Sequence, residues 1–172
     1  MCPDGRVGIT EVSTTRRLEA GELDEVTRWA EVIIDLAAGD PAKGVGFGLG
    51  SPLATATAFR GLVGWVKGRS GWRQDLDVAI ELARDNNPQH FALVFVWTVA
   101  AAIQFVVLRA DDRALHIGEE VLRTSERVAD DNALMFAEYA VGIVLLWLRD
   151  AGFRDSGGGS GGPRGRSRPR RG

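Results

Sequence analysis

The 172 residues carry 21 Lys and Arg against 23 Asp and Glu, a formal net charge of −2, with 45% apolar and 26% charged residues. These are the values of an ordinary globular chain, long enough for one domain with a sizeable core. Cys2 is the single cysteine, which excludes an intrachain disulfide and thiol-rich metal sites. The charge is uneven: Arg164, Arg166, Arg168, Arg170 and Arg171 close the chain without an acid. The body before them is therefore acidic, which argues against a nucleic-acid surface on the folded part. The opening MCPDGRVGITEV lacks the apolar core of a signal peptide, so the expected location is the cytoplasm.

In chain order, Met1–Ile9 read as disordered or loosely held, and Thr10–Ala20 as a short helical piece broken by Gly21. From Leu23 the apolar positions Leu23, Val26, Ala30, Ile33, Ile34 and Ala37 recur at helical spacing, and Gly39-Asp40-Pro41 stops the helix near Ala38. The glycine-rich GDPAKGVGFGLGSP follows. A phosphate loop needs lysine directly after its last glycine, but Gly50 is followed by Ser51-Pro52. Gly44, Gly46 and Gly48 merely alternate, and no strand precedes them. The segment reads as a connection ending in an N-cap, Ser51, with Pro52 at the first helical position. The next helix runs from Pro52 to about Lys67, with Leu53, Ala56, Phe59, Leu62, Val63 and Val66 as its apolar face. Gly61 and Gly64 beside that face allow close helix pairing.

After the GRSG turn, Trp72–Asp85 is amphipathic. Trp72, Leu76, Ala79, Ile80 and Ala83 face inward, and Arg73, Asp77, Glu81 and Arg84 face water. Asn86-Asn87-Pro88 ends it and opens Phe91–Leu108, FALVFVWTVAAAIQFVVL, which has no charge and only Thr98 and Gln104 as clearly polar members. About 18 residues at ~1.5 Å each nearly cross a hydrocarbon core. The competing reading is a helix apolar all round because other helices cover it. The small Ala100, Ala101 and Ala102, the amphipathic neighbours, and flanks without an aromatic belt or basic bias favour the covered helix. Arg113–Val128 is amphipathic again, with Leu115, Val121, Leu122 and Val128 inward. Asp130-Asp131-Asn132 breaks and recaps, and the mostly apolar Ala133–Leu148 ends at Arg149–Gly152.

Apolar and amphipathic helices thus alternate in hairpins of roughly 40 residues. Leu82-Ala83-Arg84-Asp85-Asn86 is echoed by Val128-Ala129-Asp130-Asp131-Asn132. Each hairpin leaves a face that only its neighbour buries. The fold class expected is therefore all-α, a helical-hairpin, TPR-like α-solenoid. It occupies residues 13–152, between a disordered N-terminus at 1–12 and a disordered Gly/Ser/Arg tail at 153–172. The tail reads as one without a selected role, such as a GC-rich end out of frame would give. Non-specific binding of nucleic acid or an acidic partner is the other reading.

No residues assemble into a catalytic, cofactor-binding or metal site. His90 and His116 are isolated, whereas zinc needs three or four ligands. Glu119-Glu120 with Asp111-Asp112 form an acidic group better explained as solvated helix ends than as a divalent-ion site. Glu138, within the last apolar helix, reads as an ion-pair partner or an edge residue. No G-x-S-x-G occurs. Trp29, Trp65, Trp72, Trp97 and Trp147 read as packing rather than as a ligand cage.

The stretches GDPAKG, FGLGSPLATATAFRG and GRSGWRQDLDVAIELARD carry a likeness through Asp40-Pro41, Lys43-Gly44, Gly50–Ala54, Gly71-Trp72 and Asp75. With ADDRAL and EEVLRTSERVADDNAL, the chain from about Gly21 to Asp150 resembles the C-terminal tetratricopeptide-like region of large actinobacterial regulators. Those join a class III adenylate/guanylate cyclase domain, or a helix-turn-helix domain, to a signalling ATPase module. The matching motifs are scaffold motifs. The cyclase aspartates have no domain here, the phosphate loop is absent, and a Gly/Arg tail replaces the helix-turn-helix. The resemblance therefore implies a regulatory fragment that binds a protein or peptide, a sister chain, or separately encoded catalytic domains, with no catalytic residue carried over. A membrane protein with spans near 91–108 and 133–148 is the first alternative. An adenylate cyclase, on family membership alone, is the second.

Overall fold

The structure, a computed structural model, describes residues 14–46 and 50–157, with side chains through Arg149. Every regular element among the described residues is helical and none is a strand. A short helix at 14–19 leads into α1 (Leu23–Ala37), α2 (Pro52–Val66), α3 (Trp72–Arg84) and α4 (Pro88–Phe95). A π-helical turn, Val96–Ala100, continues α4 into α5 (Ala101–Gln104). Then come α6 (Asp112–Val128) and α7 (Asp131–Gly157). The ends are chemically marked. Ser51 Oγ accepts from Ala54 N at the head of α2, Asn87 Oδ1 from His90 N at α4, and Asp111 Oδ1 from Ala114 N at α6. Each side chain satisfies a backbone N–H that the first helical turn leaves without a partner.

The α1 helix buries Val26, Ala30, Ile33 and Ala37, one stripe at helical spacing, against α2. Helix α2 also packs on α3 and touches α4. Small side chains make this possible: Ala54, Ala56 and Ala58 are fully buried, and a Cβ on Gly61 would lie 2.7 Å from Leu76 Cδ2. Arg60 then bridges α2 to α3 with two hydrogen bonds to Asp75, at 3.0 and 2.6 Å. The main core gathers Phe91, Phe95 and Ile103 with Ile80 of α3, Val121 of α6 and Val144 of α7. Besides the contacts between sequence neighbours, α4 packs on both α6 and α7. The buried hydroxyls of Thr57 and Thr98 donate to the carbonyls of Leu53 and Val94 one turn back.

Several expectations need correction. The helix enclosed on all sides is α2, whose residues 52–59 are all buried. Phe91–Leu108 is not one helix: it passes through the π turn and stops at Gln104, leaving Phe105 65% and Val106 70% exposed. Its exit is a Schellman turn, with Val106 at φ 61° donating to Ile103 O and Val107 N to Ala102 O. No glycine marks this stop, so the apolar run hides it. Val66 and Val128, read as inward, are exposed at the last turns of α2 and α6. In α6 the buried positions are Ala114, Ile117, Gly118, Val121 and Ser125. Met135, Leu145 and Leu146 of α7 are exposed because none of the described helices packs on that side. The α7 backbone stays helical through Gly157, past the stop read at Arg149–Gly152. The sequence echo is not a structural one: Asn87 caps α4, whereas Asp130 caps α7 by accepting from Asn132 N and Ala133 N. The N-terminus expected to be disordered, 1–12, lies outside the described residues, as do 158–172 of the tail expected at 153–172 and Phe47–Leu49 of the glycine-rich connection; residues 153–157 of that tail are helical.

Among the described residues one helix, over Asp131–Arg149, is long and apolar enough to cross a membrane by length and composition; 22% of that window is buried.

Candidate functional site: the cleft between α3 and α6

Two amphipathic helices, α3 and α6, flank the π turn and leave a cleft of about 240 Å³. Its floor is apolar: Leu76 and Ile80 from α3, Val99 from the π turn, Leu108, and Ala114 with Ile117 from α6. Its rim carries Arg73, Arg109 and Arg113 with Asp77 and Asp111. Arg113 donates to Asp77 Oδ1 at 3.0 Å across the mouth. Asp111 is engaged in capping α6. Arg73 also lies over the Trp72 ring, its guanidinium 4.9 Å from the centroid. Deeper along the same seam Arg84 reaches Glu120 of α6 at 3.2 Å, so Arg84 ties two helices together rather than facing water. A π turn widens its helix locally and often lies at a functional position; here it supplies Val99 to the cleft floor. A larger depression at Glu120–Arg127 is lined by α6 alone and is a groove along one helix.

The sequence singles out His90 as an isolated histidine, and it is fully buried between α2 and α4. Its Nε2 lies 3.1 Å from Thr55 Oγ1, and Thr55 Oγ1 donates to Ser51 O. Nε2 and the Thr55 hydroxyl share one hydrogen bond, and Nδ1 is buried with no hydrogen-bond partner. Burial pushes the imidazole down to about 4, so it is neutral at ordinary pH. Gly50 is part of the same lock: a Cβ there would sit 2.2 Å from His90 Cγ. The group fastens the start of α2 to the start of α4. His116, by contrast, is exposed on α6.

The acidic group does not assemble. Asp111 caps a helix, Glu119 faces Arg123 at 3.7 Å, and Glu120 pairs with Arg84. No group of three or more His, Cys, Asp or Glu able to hold a metal occurs among the described residues. Glu138 is exposed on α7, an edge position. The five tryptophans are half-buried and do not converge. Trp97 packs on Phe59 at 5.0 Å, Trp65 on Phe105 at 6.0 Å, and Trp29 lies under Arg28.

Sequence reasoning missed the cleft. Arg73 reads as solvent-facing and Arg109 as a turn residue, and only the tertiary approach of α3 to α6 brings them together. Arg109 lies before α6 and Arg113 in its first turn, so no helical periodicity joins them in the sequence. No protein-family model, curated protein or solved structure matches the chain.

Proposed function

We propose that the chain is a non-catalytic helical-repeat interaction module of the TPR-like, solenoid kind, acting in the cytoplasm. Its α3/α6 cleft takes an extended peptide that offers an apolar side chain beside a carboxylate. The observation that carries this reading is the cleft itself, an apolar floor beneath three arginines of which, among the described residues, only Arg113 has an acidic partner across the mouth. Apolar anchors in a pocket and charge-assisted contacts at its rim are how small interfaces gain affinity and specificity. The repeat reading is supported by the alternation of amphipathic α1, α3 and α6 with the more apolar α2, α4 and α7. In such arrays equivalent helices line one continuous face. The likeness at Asp40–Gly44, Gly50–Ala54 and Gly71–Asp75 supports a regulatory role in signal transduction, with a segment of a separately encoded cyclase or ATPase domain as the natural partner.

Display of random peptides against the full chain tests the cleft. The expected consensus is an apolar residue flanked by Asp or Glu, with affinity falling about tenfold in Arg73→Glu/Arg109→Glu. A consensus without acids, or binding indifferent to the double substitution, would refute it. On the same reading the pure chain makes no cyclic AMP from ATP with Mg²⁺ or Mn²⁺; turnover above a blank would overturn the non-catalytic assignment. The membrane reading has one observation in its favour, the apolar window Asp131–Arg149, and predicts recovery of the chain with lipid.

A further inference from the structure

Helix α7 is covered on one side only. Ala133, Ala137, Ala140 and Val144 are buried against the rest of the fold. On the opposite side Met135, Tyr139 and Leu146 are 53%, 48% and 63% exposed, with Leu145 beside them at 49%. With Gly142 they follow a spacing of four, three and four, one continuous stripe along the helix. Extended by the same steps, the stripe begins at Asp131 and ends at Arg149, both exposed. Four large apolar side chains on one helix face form a patch of the kind that marks an interaction site. The sequence after Gly157 contains only Gly, Ser, Pro and Arg, so it offers no apolar surface to cover them.

The order of residues along the stripe selects its occupant. It runs acid, Met, Tyr, Gly, Leu, base. Laid antiparallel on itself about a point between Ala140 and Val141, it matches itself. Met135 meets Leu146 of the second copy, and Tyr139 falls over Gly142 of the second copy. Asp131 comes beside Arg149 of the second copy, and every contact occurs twice. A Cβ on Gly142 would have nothing within 4 Å, so the surface there is open to receive a ring. A parallel pairing would instead set Asp131 against Asp131 and Arg149 against Arg149. Glu138 is exposed and lies beside the stripe, between it and Leu145. We infer that α7 pairs antiparallel with α7 of a second copy, giving an isologous dimer with a two-fold axis near Ala140–Val141. This surface is separate from the α3/α6 cleft and leaves it open.

Sedimentation of the purified full chain at micromolar concentration tests the inference, with far-UV circular dichroism as the control for folding. The wild type is expected to be a dimer. Leu146→Glu and Gly142→Leu are expected to weaken it about tenfold or more while helicity is kept. Asp131→Arg and Arg149→Asp should each weaken it, and the doubly swapped chain should recover. The two residues lie about 27 Å apart along one helix, so only an intermolecular contact can produce that rescue. A monomeric wild type, a dimer indifferent to Leu146→Glu, the absence of charge-swap rescue, or recovery only with lipid vesicles would each overturn it.

Discussion

Acidification should act on this protein first through His90. The imidazole is sealed between α2 and α4, has one hydrogen bond, and is pushed by burial from 6.5 down to about 4. The unfolded chain takes up a proton as the pH falls through about 6.5, and the folded chain does not until about 4. Stability is therefore fully present above the unfolded value, declines as pH falls between the two, and levels off below about 4. Linkage puts the loss at about 2 kcal/mol on going from about pH 7 to about pH 5, approaching about 3 kcal/mol below the folded value. Asp24 and Glu25 are held below the usual carboxylate range by hydrogen bonds from Lys67 and Arg28. Urea unfolding followed by circular dichroism, at fixed chain concentration, measures the effect. The wild-type midpoint should drop by about 1 M across that pH range. His90→Gln, which keeps a donor toward Thr55 but does not titrate, should lose most of the shift. Equal wild-type midpoints at the two pH values, or a His90→Gln variant with the wild-type slope, would refute the reasoning.

The backbone at Val106 gives a gain. A β-branched residue at φ 61° is strained by about 1–2 kcal/mol, and Val106 is too exposed to repay it by burial. Val106→Gly should raise stability by about 1 kcal/mol after the added freedom of the unfolded chain, read as a higher thermal midpoint. Gly50→Ala should cost more than about 2 kcal/mol in urea unfolding, because its Cβ meets the His90 ring. In the presence of His90→Ala that cost should shrink, giving a positive coupling in the double-mutant cycle. Arg60→Met should lose about 1 kcal/mol by breaking the two-pronged, half-buried contact with Asp75. Asp75→Asn added to it should cost little more.

The helices themselves were legible because their signals are local. The Val26, Ala30, Ile33 and Ala37 stripe, the Ser51-Pro52 start and the Asn87-Pro88 start all appear as read. Gly61 was legible as a close-packing residue, and Leu76 does press on it. Where a helix ends without glycine or proline, as at Phe105–Val107, composition shows an unbroken apolar run and the stop is missed. Which apolar face is covered is also a tertiary fact. Leu145 and Leu146 of α7 have the same composition signal as the buried Leu93 of α4, and only the absence of a neighbour exposes them. The same holds for the α3/α6 cleft, whose arginines are scattered from 73 to 113 and line one cleft only in the folded chain. His90 was legible as a residue without metal partners, but its lock with Gly50 and Thr55 depends on the approach of α2 to α4 across some 40 residues.

Central to the proposal is that α2 and α4 are covered by the rest of the chain and the exposed face of α7 by a second copy, so that the module works in water. Fractionation of cells expressing the full chain, followed by circular dichroism of the soluble portion, tests that most directly. The account predicts a soluble chain with a strongly helical spectrum. A chain that sediments with membranes and is released only by detergent would contradict it, and would make the Asp131–Arg149 face a lipid contact.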